Sequence, residues 1–181
     1  MRVLLKMRQI LMCALLAAIG GQVHAAEGGW SKVVEGVRGR LIVTAVDGKQ
    51  RQLRVELELE NTTDRAAPIP IFWGPLGSML KLGLDDGGKD VEQNHIGGND
   101  LGLNPYTLLL PVASHLRILI SPSAFEYVPN GRVMLRPVSL QAWDIPPSHG
   151  KLSLRATLTP SPSKERNHWK GPLELPPVSL P

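Results

Sequence analysis

Between positions 53 and 60 apolar and charged residues alternate without a break: Leu53, Val55, Leu57 and Leu59 are separated by Arg54, Glu56, Glu58 and Glu60. A period of two belongs to a β-strand, and one whose two faces differ this sharply lies with one side on a core and the other in water. Just upstream, Leu41, Val43 and Ala45, with Val37 completing the row, are a second odd-numbered apolar set. Facing residues in an antiparallel pair point to the same side, so two odd rows require a loop with an odd number of residues. The loop Val46-Asp47-Gly48 meets that condition and puts Gly48 where a left-handed residue is needed, pairing Val43 with Arg51, Leu41 with Leu53 and Val37 with Leu57. Arg51 then sits at the end of the apolar face, where its long stem lets the charged head reach solvent.

The same period recurs along the chain. Leu80, Leu82 and Leu84 alternate with other residues and stop at Asp85-Asp86-Gly87-Gly88, while Leu152, Leu154, Ala156 and Leu158 alternate with Lys151, Ser153, Arg155 and Thr157. Further strands are expected over 106–112, 116–120 and 132–143. In the last, the apolar parity changes from Val133 and Leu135 to Val138, Leu140 and Ala142, which predicts a bulge near Arg136-Pro137. Asn61-Thr62-Thr63-Asp64 reads as a turn, because such side chains bond nearby backbone groups. Pro68 and Pro70 confine the run 69–73 to an edge or a strand start. Leu173, Leu175, Val178 and Leu180 form a terminal strand broken by Pro176-Pro177. The segment 90–104 is the longest irregular stretch, and 160–166 is a Pro-rich linker. All 16 prolines lie after residue 25, where no stretch keeps a helical period over three turns. About seven to nine short strands separated by turns imply an all-β antiparallel sandwich or barrel. Prolines beside several strands suit exposed edges, which a closed barrel lacks, so a sandwich is expected.

The row Leu53-x-Val55-x-Leu57-x-Leu59-x-Asn61-x-Thr63 followed by Pro68-Ile69, with the closing pair Leu152-x-Leu154-x-Ala156 and Trp169-x-Gly171-x-Leu173, resembles the immunoglobulin-like β-sandwich domains of exported proteins. The resemblance implies a fold and no activity, since that architecture hosts adhesins, chaperone partners, inhibitors and accessory modules alike. The cysteine pair and intervening tryptophan of antibody domains are absent.

The first 25 residues have a different character. Arg2, Lys6 and Arg8 precede an apolar run from Ile10 to Ile19 and a small-residue exit at Val23-His24-Ala25, the order of an export signal. Cleavage is expected after Ala25, leaving residues 26–181 as a single secreted or periplasmic domain with no transmembrane anchor. A chain of that length buries roughly 70% of its unfolded surface and folds without covalent staples. Cys13, the only cysteine, lies inside the apolar run without the small-residue context of lipidation, so the mature chain offers no thiol for disulfides, catalysis or metal binding.

Charge changes meaning once this segment is removed. Formal charge is +4 and the pI about 9.5. Taking the three signal residues from the 20 Lys and Arg leaves 17 against 16 Asp and Glu, with the signs interleaved on strands. No basic patch for nucleic acid is expected.

Candidate chemistry is sparse. His95, His115, His149 and His168 lack metal-ligand spacing. Asp85, Asp86, Asp90 and Glu92 form the densest acidic cluster, but their pattern fits a hairpin turn better than a calcium loop. Ser-x-x-Lys at Ser78–Lys81 and Ser161–Lys164 falls in a strand pattern and a Pro-rich linker, whereas the acyl-transfer use of that spacing needs one helix face. No catalytic, cofactor-binding or metal site is assigned, and no cofactor is expected. Asn61-Thr62-Thr63 fits a glycosylation acceptor, though its turn role suffices. Of the tryptophans, Trp143 is expected in the core; Trp30 and Trp169 either cap the domain together or form an aromatic platform. The expected role is protein binding or assembly in the envelope, without catalysis, through Ile69, Ile71 and Trp73 on an edge open to strand addition, Trp30 and Trp169, or the 90–104 loop. The alternative is an extracellular protease inhibitor presenting a Pro-rigidified loop at 74–78 or 142–149.

Overall fold

The computed structural model describes residues 25–45, 53–72, 79–95, 105–121, 125–127, 133–138, 141–145, 150–160 and 164–180. The expected export signal up to His24 lies outside them, as do Trp73, His149 and the 74–78 loop. The strands are β1 (Ala25–Glu27), β2 (Val37–Ala45), β3 (Leu53–Asn61), β4 (Ala67–Phe72), β5 (Leu80–Asp86), β6 (Lys89–Asp90), β7 (Asn94–His95), β8 (Pro105–Leu110), β9 (His115–Ser121), β10 (Phe125–Tyr127), β11 (Val133–Val138), β12 (Gln141–Ile145), β13 (Leu152–Leu158) and β14 (Leu173–Ser179). No described residue is helical, and no described helix is long and apolar enough to cross a membrane. The fold is all-β and sandwich-like, with antiparallel pairing throughout the sheets β1-β2-β3-β9, β14-β13-β5-β6 and β10-β11-β12-β7 and the ribbon β4-β8.

The odd rows of β2 and β3 and the even row of β13 all turn inward. Leu41, Val43, Leu53, Val55, Leu57 and Leu59 from one sheet meet Leu82, Leu84, Leu154, Leu158, Leu173 and Leu175 from another in a single core, joined by Ile69, Leu110, Trp143 and Ile145 from the remaining strands. Burying each such side chain stabilises the fold by about 1.5–3 kcal/mol. Gly39 lets the two main sheets approach: a Cβ there would lie 3.0 Å from a Leu175 methyl and 3.1 Å from one of Leu59.

Parity was readable from the sequence, but the β2–β3 register was not. Leu41 faces Leu57, Val43 faces Val55 and Val37 faces Asn61, so the connection spans 46–52, outside the described residues, instead of a three-residue loop. The outer face explains why. The shorter loop would set Arg40 against Arg54, whereas the observed register sets Arg38 against Glu60 and Arg40 against Glu58. Opposite charges across a strand pair stabilise it and like charges do the reverse. Within 132–143, expected to be one strand, the chain forms a hairpin of β11 and β12, with Val138 facing Gln141. The expected irregularity at Arg136-Pro137 is present as a register shift between Leu135 and Val138. Pro176-Pro177 bulges β14 against Arg155 without ending it. His95, expected in a loop, lies in β7 opposite Gln141.

Asn61 closes β3 at an inward position and is almost fully buried. Its Nδ2 lies within hydrogen-bonding distance of the Arg65 (2.6 Å), Leu110 (3.1 Å) and Pro111 (3.0 Å) carbonyls, and its Oδ1 accepts from the Thr63 amide (3.0 Å) and hydroxyl (2.8 Å). One amide thus ties the end of β3 to the entry of β4 and the exit of β8, and it leaves no free Nδ2 for a glycan. Asn61→Ala leaves the buried Leu110 carbonyl without its donor and should cost about 1–3 kcal/mol in urea unfolding, against about 0.5–1.5 kcal/mol for Thr63→Val. Equal effects would argue that the amide does not organise this corner.

Candidate functional site

The solvent face of β1-β2-β3-β9 carries the densest polar network among the described residues. Strand alternation puts Arg38 and Arg40 of β2 and Glu56, Glu58 and Glu60 of β3 on that face, and pairing of β3 with β9 brings His115 opposite Glu60 and Arg117 opposite Glu58. Glu58 is at the centre, nearly fully buried although it points away from the core. Its Oε2 accepts from Arg40 Nε at 2.6 Å and its Oε1 from Arg117 Nε at 3.1 Å. Arg40 also reaches Glu27 of β1 (2.6 Å), and Arg38 pairs with Glu60 (2.6 Å). His115 Nδ1 lies 3.8 Å from Glu58 and Nε2 4.0 Å from Glu60.

Trp30 joins this face. Its indole lies 4.7 Å from the Arg38 guanidinium carbon and 4.6 Å from that of Arg40, and the His115 ring meets it edge-on at 5.9 Å. Cations over an indole are attracted by the ring's quadrupole. The two arginines are therefore held by a carboxylate on one side and an aromatic ring on the other. Exposed Leu119 continues the same row of β9, opposite Glu56.

Burial works to push the Glu58 carboxyl up, but hydrogen bonds from Arg40 and Arg117 and the charge of both outweigh it, holding Glu58 below the ordinary carboxylate range. Burial likewise works to lower Arg40, and bonding to Glu58 with the charges of Glu58 and Glu27 raises it instead. A carboxylate fixed in its ionised form makes a poor proton shuttle near neutrality.

Of the residues expected at an interaction surface, Trp30 is half-buried on this outer face. Ile69 and Trp169 are buried, the latter donating from Nε1 to the Val34 carbonyl at 2.9 Å. Trp30 and Trp169 thus make separate contacts, one with arginines and a histidine on the outer face, the other with the core. Ile71 belongs to β4 opposite Tyr106. Strand addition at the outer edge of β4 meets a chemical obstacle: Pro68 and Pro70 have no N–H to offer, and the Pro68 carbonyl already accepts the Trp169 amide at 2.9 Å. In the 90–104 loop only 90–95 are described, ending in β7. Residues 142–145 of the proposed inhibitory loop belong to β12, with Trp143 and Ile145 buried. Asp85-Asp86-Gly87-Gly88 forms the β5–β6 hairpin turn: Asp85 Oδ1 accepts the Gly88 amide (2.7 Å), Asp86 Oδ1 accepts that of Gly150 (2.6 Å), and Asp90 pairs with Arg155 (2.6 Å). Among the described residues no three His, Cys, Asp or Glu are grouped to hold a metal ion.

Reading residue by residue missed Arg38, Arg40, Arg117 and His115. The signal was available as opposite charge on facing outer rows, Arg38-x-Arg40 against Glu58-x-Glu60, but it needs the correct register to become visible. No family model, curated protein or solved structure matches the chain.

The depressed Glu58 sets a pH dependence. Its folded form gives up the proton more readily than the unfolded one, so its stabilising contribution is complete above the unfolded value of about 4.3 and is lost as pH falls through the lower folded value. Glu58→Gln should lose about 1.5–3 kcal/mol at neutral pH, the worth of hydrogen bonds to a charged group. Urea unfolding across the acid range should show that deficit shrinking toward zero in strong acid; a deficit independent of pH would contradict the assignment.

Proposed function

We propose that this chain is an exported, non-catalytic, immunoglobulin-like β-sandwich domain that binds another protein of the cell envelope or exterior through the outer face of β1-β2-β3-β9. The observation that carries the reading is Trp30 packed against Arg38 and Arg40 beside His115, over an ion-paired Glu58. Trp and Arg are the residue types that dominate binding energy at protein interfaces. Here the two arginines are already fixed by Glu58, Glu60 and Glu27, so a partner meets ordered side chains and the entropy lost on binding is reduced. The basic-apolar-small order of the first 25 residues supports export, antiparallel sheets over one Leu/Val core support a sandwich, and the immunoglobulin-like type rests on the sequence pattern of residues 53–69 and 152–173. Interleaved Arg and Glu on the same face favour a protein partner of mixed charge over nucleic acid, which requires a sustained basic surface.

The test places a photocrosslinking amino acid at Leu119, on this face, or at Lys81, on the solvent side of β5, in the protein expressed in its own cells. A discrete crosslinked partner should form from position 119 and not from 81, and Trp30→Ala should reduce its yield about tenfold or more, the cost of losing a hot-spot aromatic. Equal crosslinking from both positions, or a yield that Trp30→Ala leaves unchanged, would refute the assignment of this face.

A further inference from the structure

A cleft of about 360 Å³ opens at the corner where the turn after β3 faces the segment before β14, away from the Trp30 network. One wall runs from the turn after β3 into the start of β4, the other is irregular backbone, and both are pinned. On one side, Asn61 Nδ2 bonds the Arg65 carbonyl, and Thr63 Oγ1 accepts the Arg65 amide (3.3 Å) while its hydroxyl lies within reach of both Asn61 Oδ1 (2.8 Å) and that carbonyl (2.9 Å). On the other, Trp169 is buried with its indole N–H on Val34 and its amide on Pro68, the Lys170 amide donates to Glu35 Oε2 (2.8 Å), and His168 Nε2 lies 2.9 Å from Glu165 and 3.5 Å from the Thr107 hydroxyl.

These fixed walls carry Arg65 and Arg166, whose guanidinium groups make no ion pair or hydrogen bond with a described residue, and Lys170, whose ammonium makes none either. That distinguishes them from the arginines of the outer sheet face, each of which is satisfied by a carboxylate. Of the two acids lining the cleft, Glu35 is engaged by the Lys170 amide, and Asp64 is exposed and has no partner among the described residues. Three unsatisfied cations on preorganised backbone offer forked N–H donors and a point charge to one oxyanion. We propose that this cleft binds a small ligand through a carboxylate or phosphate group, held by Arg65, Arg166 and Lys170, with Asp64 opposing the second negative charge.

Inorganic phosphate and succinate, titrated separately into the purified protein at constant ionic strength and followed by amide NMR, test the assignment. Saturable shifts confined to 63–68 and 166–170 are expected with at least one anion; phosphate alone would assign a phosphate ligand and succinate alone a carboxylate. The Arg65→Gln/Arg166→Gln double variant should weaken binding about tenfold or more, and Lys151→Gln, outside the cleft, should not. Asp64→Asn should tighten binding a few-fold, a gain that local unfolding cannot produce. Shifts that never saturate, that spread evenly over basic residues across the surface, or that persist unchanged in the double variant would overturn the proposal.

Discussion

A single buried carboxamide holds the corner on which the architecture turns. Asn61 stands at an inward position where Leu or Val occupies every other odd site of β3, and a polar group there is tolerable only when it is bonded. Its partners are the carbonyls at the start of β4 and the end of β8 and the amide of the turn between. The chain therefore leaves the main sheet at a fixed angle into the β4-β8 ribbon, and returns through Ser114, whose carbonyl accepts the Asn61 amide at 3.0 Å, to lay β9 beside β3. The outer-face network depends on that return path, and one wall of the basic cleft is the turn that Asn61 holds.

The two polar regions differ in how their charges are balanced. On the sheet face, Glu58 is desolvated, and its stability rests on two arginines that are themselves stacked or ion-paired, so removing any member exposes a charge to a poor environment. Such a network keeps its shape and presents an ordered surface. In the cleft, the backbone is rigid and the charges are free, the condition under which an incoming anion gains most. In the first region each arginine meets a carboxylate; in the second, among the described residues, Arg65, Arg166 and Lys170 meet none.

Much of the fold is legible in the amino-acid sequence. Alternation identified β2, β3, β5, β13 and β14, parity identified which face of each is buried, and the bulge at Arg136-Pro137 followed from a change of parity. What failed shares one cause. The 46–52 connection, the hairpin hidden in 132–143 and the burial of Trp169 and Ile69 each depend on which distant segment lies alongside, and local periodicity carries no such information. Trp143 could be read as core because it sits in an apolar strand; Trp169, in a polar neighbourhood, could not.

The sequence by itself determined an all-β chain with a Leu/Val core, because side-chain period is a local property of the backbone. It also determined that the basic balance of the whole chain belongs largely to Arg2, Lys6 and Arg8. Only the tertiary structure decided that Arg40 meets Glu58 rather than Arg54, that Trp30 lies against two guanidinium groups, and that Arg65, Arg166 and Lys170 share one cleft. Each of these rests on register or on the meeting of segments remote in sequence, which are set by the sum of many cross-strand contacts and not by any residue's own neighbours.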